Sequence, residues 1–387
     1  MSKYYIKTLN KISNVGLEKF GQNYSIGDTL ENPDAILLRS ASMHELEFPS
    51  SLQCIARAGA GVNNIPIEKC AEQGIVVFNT PGANANAVKE LAISALLISS
   101  RKIIEGINWT NSLQGDDVAK QVEKGKAQFV GPEIQGKTLG VLGLGAIGVM
   151  VANAASHLNM EVLGYDPYIS VDAAWVLSRE VRKATDLKAV FETSDYITLH
   201  MPLTKETKGI INKEAFAQMK KGIRIINLSR GELVNDDDMK VALEEGTVSV
   251  YVTDFPNEKL VNVKGVVPVP HLGASTPESE DNCAAMAAWQ AKDFLENGNI
   301  KNSVNFPTCE MGISTSAHRI TVAHRNIPNM LGQISTALAD YKINITNMLN
   351  KSRGDYAYTM IDVENDFVDG EIEKIKSIEG VLKVRVL

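Results

Sequence analysis

The chain has 387 residues, of which 44% are hydrophobic and 22% charged, and its formal net charge is -7 at pH 7. This length and balance predict a globular protein of two or three domains, and the negative charge argues against a nucleic-acid-binding face. The longest apolar run, 91–98, is too short to cross a bilayer, and residues 1–7 lack the apolar segment of a signal peptide. The four cysteines form no C-x-x-C pair, so we expect a cytoplasmic protein without a metal site or membrane attachment.

The first region, residues 1 to about 95, alternates between short strands and helices. Buried strands are predicted at 35–38, 54–56 and 75–78, and each ends in small or polar residues. In an open α/β sheet, ligands collect at the carboxyl ends of the strands. The candidate residues for binding an anionic substrate are therefore Arg39, Ser40, Arg57, Gly59, Ala60 and Gly61. Two arginines could hold a phosphate or a carboxylate bidentately, although either one could instead be a surface ion-pair residue.

A glycine-rich turn marks the middle of the chain. Gly143, Gly145 and Gly148 have the G-x-G-x-x-G spacing, and they follow an apolar strand that starts near Lys137. The first glycine allows a tight turn, the second lets the backbone approach a pyrophosphate, and the third lets helix and strand pack closely. A helix predicted at 150–158 would present unpaired N–H groups to the phosphates.

The residues that follow this turn favour a dinucleotide over an ordinary βα turn. A second strand is predicted at 161–165, and Asp166 stands at its end, 18 residues after Gly148. An acidic group at this position accepts hydrogen bonds from the adenosine ribose and repels a 2′-phosphate. We therefore expect NAD rather than NADP as the cofactor.

The α/β alternation extends on both sides of this turn and predicts two domains, each with a parallel, doubly wound sheet of the Rossmann/flavodoxin-like kind. Further strands are predicted at 196–200, 223–228, 248–254 and 266–269. Helices are predicted at 88–103, 108–126, 186–192, 213–219 and 236–245, with a break at 129–133.

Three of these strand ends carry groups suited to hydride transfer. Arg230 follows one strand, Asp254 and Glu258 follow the next, and His271 follows the last. Transfer to or from a 2-hydroxy acid needs a cation for the carboxylate and a histidine for the hydroxyl proton. A nearby carboxylate would set the histidine tautomer, and an Asp could orient the nicotinamide amide. Each residue alone could be structural, so the prediction of hydride transfer rests on the order and placement of the whole set.

The C-terminal part is predicted to begin with a long helix at 276–296 that returns to the first domain, followed by a linker rich in Gly, Asn, Pro and Thr at 297–316. A small domain follows. Its strands are predicted at 318–323, 345–349, 356–363 and 381–387, and its helices at 329–341 and 367–378, with a turn at 351–355. This βαββαβ order is the ferredoxin-like plan. Its exposed sheet edge would suit pairing with a second copy, so we expect a homo-oligomer.

Taken together, these segments resemble the D-isomer-specific 2-hydroxy acid dehydrogenases, in particular the members with a C-terminal ACT domain. The resemblance covers nearly the whole chain. The matching segments are 39–41, 57–64, 79–81, 143–148, 227–231 and 270–276. It implies domains at 1–95 with 276–302 (substrate-binding), 96–275 (NAD-binding Rossmann) and 316–387 (ACT), with a linker at 303–315.

The family pattern also implies roles for individual residues. The implied catalytic residues are Arg230, Glu258 and His271. The implied NAD contacts are Gly143, Gly145, Ala146, Ile147, Gly148, Asp166, Leu228, Ser229, Asp254, Gly273 and Ala274. Arg39 and Arg57 would lie near a substrate phosphate, and His324, Asn326 and Asn344 match positions that bind L-serine between paired ACT domains.

Two departures from the family stand out. Ala146 occupies a position where the family usually has an Arg that helps to hold the pyrophosphate, and the segment from Asp254 to Glu258 is one residue shorter. The implied reaction is the NAD-dependent oxidation of 3-phospho-D-glycerate to 3-phosphohydroxypyruvate, which opens serine biosynthesis, with serine as a regulator. Two alternatives remain open: an unphosphorylated 2-hydroxy or 2-keto acid as substrate, and a non-catalytic sensor of NAD and an amino acid.

Overall fold

The computed structural model describes residues 4–364 and 369–387. The chain forms two compact units: one contains the residues up to Asn84 together with Pro277–Leu387, and the other is Ala85–Thr276. The expected domain boundary at 95/96 therefore falls inside a helix that belongs wholly to the second unit. Within the described ranges, no helix has the length and apolar character needed to cross a membrane.

Strands and helices alternate over much of the chain, with exceptions such as the successive strands β2 to β4 and the successive helices α3 to α5. In chain order, the strands are β1 Tyr4–Thr8, β2 Tyr24–Gly27, β3 Ala35–Leu38, β4 Cys54–Arg57, β5 Val76–Phe78, β6 Thr138–Leu142, β7 Glu161–Tyr165, β8 Arg182–Lys183, β9 Tyr196–Leu199, β10 Ile223–Asn227, β11 Val248–Thr253, β12 Val266–Pro268, β13 His318–Arg325, β14 Ile345–Arg353, β15 Tyr356–Val363 and β16 Val381–Val386. The helices are α1 Asn14–Leu17, α2 Ile67–Glu72, α3 Ala85–Arg101, α4 Ile103–Ser112, α5 Val118–Gly125, α6 Ala146–His157, α7 Val171–Val176, α8 Leu187–Thr193, α9 Lys213–Phe216, α10 Asp236–Glu244, α11 Pro277–Asn297, α12 Met330–Asp340 and α13 Asp369–Lys376.

The first unit contains a five-stranded parallel sheet in the order β2-β1-β3-β4-β5. The three predicted strands, now β3 to β5, are confirmed. Sequence patterns did not reveal β1 and β2, because both are only partly buried and carry polar residues instead of an apolar run. Helix α11 packs against this sheet, and its alanines Ala284, Ala287 and Ala288 are buried there.

The second unit contains a seven-stranded parallel sheet in the order β12-β11-β10-β9-β6-β7-β8. The expected doubly wound sheet is therefore confirmed. The chain runs outwards from β6 in both directions, so the carboxyl ends of β6 and β9 form the crevice in which such sheets bind ligands. The single helix expected at 108–126 is wrong: α4 and α5 are separate, and Gly115 lies between them with φ +97.

The C-terminal segment forms a four-stranded antiparallel sheet in the order β14-β15-β13-β16. With α12 and α13 it has the predicted βαββαβ ferredoxin-like plan. The turn expected at 351–355 is shorter, because β14 continues to Arg353. The predicted helix at 367–378 begins outside the described residues, which resume at α13.

This antiparallel sheet shares a hydrophobic core with the parallel sheet of the first unit. The Phe294 ring of α11 lies 5.7 Å from the Phe78 ring of β5 and 6.4 Å from the Tyr358 ring of β15. The expected linker at 303–315 contributes Phe306 and Cys309, which are 0% and 1% exposed. That segment is therefore packed into the core of the unit.

Candidate active site

The glycine-rich turn between β6 and α6 has the geometry that each glycine predicts. Gly143 has φ +93, and a Cβ there would lie 2.6 Å from the carbonyl oxygen of His200. A Cβ on Gly148 would lie 1.9 Å from the carbonyl oxygen of Gly143. At Gly145, by contrast, a Cβ would meet nothing within 4 Å. The turn is therefore closed on the protein side and open at its middle glycine, where a pyrophosphate would approach.

Helix α6 begins directly after this open glycine. No side chain caps its first N–H groups, and Gly145 is the N-cap residue. Ala146 and Ile147 form the first turn, and Ala146 is exposed. The helix N-terminus can therefore bind a phosphate through backbone N–H groups and its partial positive charge. Ala146 itself adds no cation.

Asp166 lies at the end of β7, beside the turn. One of its carboxylate oxygens accepts a hydrogen bond from the Leu144 N–H at 2.8 Å, and the other accepts from the Tyr168 N–H at 2.8 Å. These bonds fix the carboxylate in orientation while leaving further lone pairs on both oxygens. The arrangement fits the predicted hydrogen bonds to ribose hydroxyls.

His200 lies at the end of β9 and was not among the predicted site residues. Its backbone carbonyl closes over Gly143, and its ring nitrogen Nε2 lies 2.9 Å from the Thr198 hydroxyl. Burial lowers the pKa of this imidazole to about 4. His200 is therefore a neutral structural residue beneath the turn at neutral pH.

The turn after β10 presents Arg230. Leu228 is buried, and the Ser229 hydroxyl donates to the carbonyl of Met201 at 2.7 Å. The Arg230 side chain is exposed, with Nη1 donating to the carbonyl of Ser229 at 2.6 Å. Most of its guanidinium N–H groups remain available to a ligand.

Asp254, directly after β11, is the most unusual polar group of this unit. It is 1% exposed, and neither of its carboxylate oxygens has a hydrogen-bond partner among the described residues. Burial raises the pKa of Asp254, while the electrostatic interaction with His271, the nearby backbone N–H groups of Asp254 and Gly273, and the charge of Arg230 oppose that shift. In this structure Arg230 and His271 are thus both near enough to one buried carboxylate to interact with it electrostatically. Its free oxygens fit an amide donor such as the nicotinamide carboxamide.

The pairing of His271 with Glu258 stays a prediction, because no hydrogen bond joins the two side chains among the described residues. The His271 ring packs against Phe255, with ring centroids 4.8 Å apart. Glu258 is exposed and, within 4–364 and 369–387, takes part in no hydrogen bond or ion pair. Neighbouring residues anchor its loop instead: Asn257 donates to Asp236 at 2.8 Å. The carboxylate whose charge couples to His271 in this structure is Asp254.

The segment after His271 approaches the buried carboxylate closely. A Cβ on Gly273 would lie 3.4 Å from Oδ2 of Asp254 and 3.4 Å from a methyl group of Val88. Gly273 is buried and Ala274 half-buried. The backbone of Gly273 therefore packs closely against the Asp254 carboxylate.

The first unit carries the two predicted anion-binding arginines next to each other. Nε of Arg57 donates to the carbonyl of Arg39 at 2.8 Å, and Arg39 forms an ion pair of 2.7 Å with Glu280 of α11. Burial lowers the pKa of Arg57. A Cβ on Gly61 would lie 2.9 Å from Nη1 of Arg57. The guanidinium therefore lies directly under the glycine loop.

The backbone N–H groups of the loop that holds Arg39 are already hydrogen-bonded to a neighbouring side-chain amide. Oδ1 of Asn10 accepts from the N–H groups of Arg39, Ser40 and Ala41 at 3.2, 3.1 and 2.9 Å. An anion here would therefore meet the guanidinium groups and the backbone of Gly59, Ala60 and Gly61 rather than the Ser40 amide.

The three predicted effector residues differ in their exposure to solvent and in their hydrogen bonds. His324 is 2% exposed, and its ring nitrogens are engaged by the carbonyl of Arg325 at 2.8 Å and the hydroxyl of Thr359 at 2.9 Å. Burial lowers its pKa. Asn326 is exposed and donates to the carbonyl of Gly354 at 3.0 Å. Asn344 is exposed just before β14.

The fold and these groups define a class of protein, and comparison with known families agrees with it. Residues 93–273 match the family "D-isomer specific 2-hydroxyacid dehydrogenase, NAD binding domain". The matched segment is an NAD-binding domain of this family, and NAD is its cofactor. The open glycine turn, Asp166 and the free oxygens of Asp254 fit that cofactor.

The curated relatives point to one enzyme within this family. The chain is 33% identical over 347 residues to the D-3-phosphoglycerate dehydrogenase of Synechocystis sp., which covers 87% of this chain and 60% of that protein. It is 32% identical over 353 residues to the enzyme of the same name from Methanocaldococcus jannaschii, covering 89% of this chain and 64% of the relative. The chain thus spans about 60% of the length of these relatives.

Solved structures lead to the same fold. The NAD+-bound 3-phosphoglycerate dehydrogenase of Entamoeba histolytica is 28% identical, with a TM-score of 0.60 over 79% of this chain and 99% of that one. The holo form of the D-mandelate dehydrogenase of Rhodotorula graminis is 21% identical, with a TM-score of 0.67 over 80% of this chain and 99% of the other. The second likeness concerns the fold alone.

Proposed function

We propose that this protein catalyses the NAD-dependent oxidation of 3-phospho-D-glycerate to 3-phosphohydroxypyruvate, the first reaction of the phosphorylated route to L-serine. The observation that carries the proposal is that Arg230 and His271 both interact with the buried carboxylate of Asp254, in the unit that contains the NAD-binding turn. The names of the curated relatives support the choice of substrate.

The proposed reaction assigns one task to each residue. NAD supplies the hydride acceptor. Arg230 binds the substrate carboxylate and polarises the adjacent C2 oxygen. His271 accepts the C2 hydroxyl proton on a ring nitrogen while the C2 hydrogen leaves as hydride, so the alcohol becomes a ketone. The negative charge of Asp254 favours the resulting imidazolium, and Glu258 would add to this by reaching the ring from its exposed loop.

The proposed site for the substrate phosphate is the arginine pair of the first unit. Arg57 is prepared for an anion, because its guanidinium is half-buried under the glycine loop and, among the residues that the structure describes, is hydrogen-bonded only to the carbonyl of Arg39. Arg39 would exchange its Glu280 partner for the phosphate. Two guanidinium groups held together with one carboxylate leave a net positive charge, which suits a phosphate dianion.

One observation favours the alternative substrate class, an unphosphorylated 2-hydroxy or 2-keto acid. Arg39 is engaged by Glu280, so it is available to a phosphate only if that ion pair opens. A non-catalytic sensor of NAD and an amino acid is the remaining alternative. Any saturable oxidation of NADH by a keto acid would eliminate the sensor.

The test is an NADH oxidation assay with 3-phosphohydroxypyruvate, hydroxypyruvate and glyoxylate. We expect the highest kcat/KM with the phosphorylated substrate, and we expect His271→Gln to lower it by about 10²–10⁴-fold, the usual contribution of a general acid or base. Equal kcat/KM with and without the phosphate would favour the alternative substrate class. Near-normal turnover by His271→Gln would remove the proposed mechanism.

We further propose that the C-terminal βαββαβ segment binds L-serine as an effector in a homo-oligomer. The support is the family pattern at His324, Asn326 and Asn344. Because both ring nitrogens of His324 are engaged internally, binding through this ring would require one of those bonds to be exchanged. Titration calorimetry with L-serine tests the proposal, with D-serine as the control; absence of heat with both would end it.

A further inference from the structure

Asn227 is a buried polar side chain directly behind Arg230. It is the last residue of β10 and is 0% exposed. Its Nδ2 donates to the carbonyl oxygen of Arg230 at 2.8 Å, and its Oδ1 accepts from the N–H of Ser229 at 3.2 Å. One carboxamide thus closes both ends of the turn that carries the arginine.

This carboxamide is itself held from the neighbouring strand. Its Nδ2 also lies 3.3 Å from the hydroxyl oxygen of Tyr251, which is 1% exposed on β11. Burial raises the pKa of Tyr251 to about 12, so the phenol remains protonated at every working pH. Two β-strands of the central sheet therefore define where the amide lies, and the amide defines where the backbone of Arg230 lies.

We infer that Asn227 is a positioning residue that fixes the backbone of Arg230, and through it the guanidinium, for the substrate carboxylate. The inference rests on the role proposed for Arg230 in the function above. Only a carboxamide satisfies the site: it must accept from Ser229 and donate to Arg230 at the same time. An aspartate of the same shape keeps the accepting oxygen but replaces the donor by a second acceptor that faces a carbonyl.

A double-mutant cycle tests the inference. Asn227→Asp should lower kcat/KM for the keto acid by about 10- to 100-fold, because small misplacements of a substrate-binding group have effects of this size. In the background of Arg230→Ala, the same change should lower kcat/KM by less than about 3-fold, since the group it positions is gone. A residue with a merely structural role would lower activity equally in both backgrounds.

Asn305 provides a matched control. It is also a buried asparagine, with Oδ1 accepting from the Val77 N–H at 2.9 Å and Nδ2 donating to the carbonyl of Ile75 at 2.8 Å, and it belongs to the first unit. Asn305→Asp introduces the same chemical change and should lower the melting temperature. Its effect on kcat/KM should be the same whether or not Arg230 is present.

The possible results distinguish a failure of the inference from a failure of the proposed function. Equal losses from Asn227→Asp in both backgrounds, or normal kcat/KM in the single variant, would overturn the inference. If Asn227→Asp does not fold, Tyr251→Phe removes one acceptor of the same amide; a loss of a few-fold that vanishes in Arg230→Ala supports the inference, and an equal loss in both overturns it. Full activity of Arg230→Ala alone would instead contradict the proposed function.

Discussion

At the scale of single residues, Asp254 lowers the stability of the folded protein but offers two hydrogen-bond acceptors to a ligand. A buried carboxylate without hydrogen bonds destabilises the folded state, because its charged form has lost hydration without compensation. The electrostatic interactions of this carboxylate with His271 and Arg230 offset part of this penalty. Such groups persist where a ligand supplies the missing donors, and the nicotinamide amide is a suitable donor.

We therefore expect Asp254→Asn to stabilise the apo protein and to weaken NADH binding. Each kcal/mol gained should raise the melting temperature by about 2–4 °C in a unit of this size, and the lost charge-assisted hydrogen bond should raise the Kd for NADH by about tenfold or more. Differential scanning fluorimetry and NADH fluorescence titration measure the two effects. A lower melting temperature with unchanged NADH affinity would contradict this expectation.

The stabilisation should depend on pH in a defined direction. Since the pKa of Asp254 is raised in the folded protein, the folded state keeps the proton to a higher pH than the unfolded chain, whose aspartate titrates near ~3.9. Wild-type stability from this group falls as the pH rises through that window. The advantage of Asp254→Asn should therefore be small near pH 4 and larger at pH 8. Asp195→Asn is the control, because Asp195 accepts from the Thr138 N–H at 2.9 Å and pairs with Lys220 at 3.1 Å; it should lower the melting temperature.

Sequence patterns anticipated some site residues and missed others for a physical reason. The glycine turn and Asp166 were predictable, because positive φ, close packing and strand-end position leave local signatures. Asn227 and His200 were not singled out, because a polar residue after an apolar run looks the same whether it faces solvent or is buried. The pairing of His271 with Glu258 remains a prediction, and the structure adds Asp254 as a second carboxylate near that ring.

At the scale of elements, α11 is held at its C-terminus by side chains from the antiparallel sheet. Arg385 of β16 donates to the carbonyls of Phe294 and Leu295 at 3.1 and 2.9 Å, and its guanidinium lies 4.4 Å from the centre of the Phe294 ring. Arg319 of β13 donates to the carbonyl of Asn297 at 2.9 Å. The last carbonyls of a helix have no partner within the helix and carry its negative end, so two cations here satisfy and stabilise it.

We expect Arg385→Met to lower the free energy of unfolding of the first unit by roughly 1–3 kcal/mol, the usual effect of leaving buried carbonyls unpaired. Methionine keeps much of the apolar stem, so the effect isolates the hydrogen bonds. Urea unfolding followed by circular dichroism measures it. The control is Arg182→Met, which breaks an exposed ion pair of 2.6 Å with Glu161 and should leave the midpoint unchanged. Equal midpoints for both variants would show that the α11 contacts contribute nothing.

The elements themselves differ in how far sequence patterns reveal them. Strands β3, β4 and β15 were predicted nearly residue by residue, because each is a mainly apolar segment between polar turns. Strands β1 and β2 lack that signal and are defined by pairing with β3 and with each other. The separation of α4 from α5 depends on a left-handed glycine, whose effect on a polar helix pattern is hard to weigh in advance.

At the scale of the whole molecule, the C-terminal βαββαβ segment belongs to the same compact unit as the N-terminal parallel sheet. The buried ion pair of Arg319 with Asp362, at 2.6 Å, lies where this segment meets the end of α11. Removing one partner of such a pair is strongly destabilising, because the other charge is left buried. The segment is thus integrated into the unit through charge and core packing.

The sequence alone was sufficient for the α/β class with its parallel sheets, though not for strands β1 and β2. It was also sufficient for the ferredoxin-like segment, the NAD-binding turn and the strand ends that carry Arg230, Asp254 and His271. These features follow from periodicity, glycine spacing and apolar runs, which act over a few residues and can be recognised without knowing the neighbours. The burial of Asp254, the amide behind Arg230 and the common core of the first unit arise from contacts between residues far apart in the chain. Burial and pairing depend on which surfaces meet, and that is a property of the assembled fold.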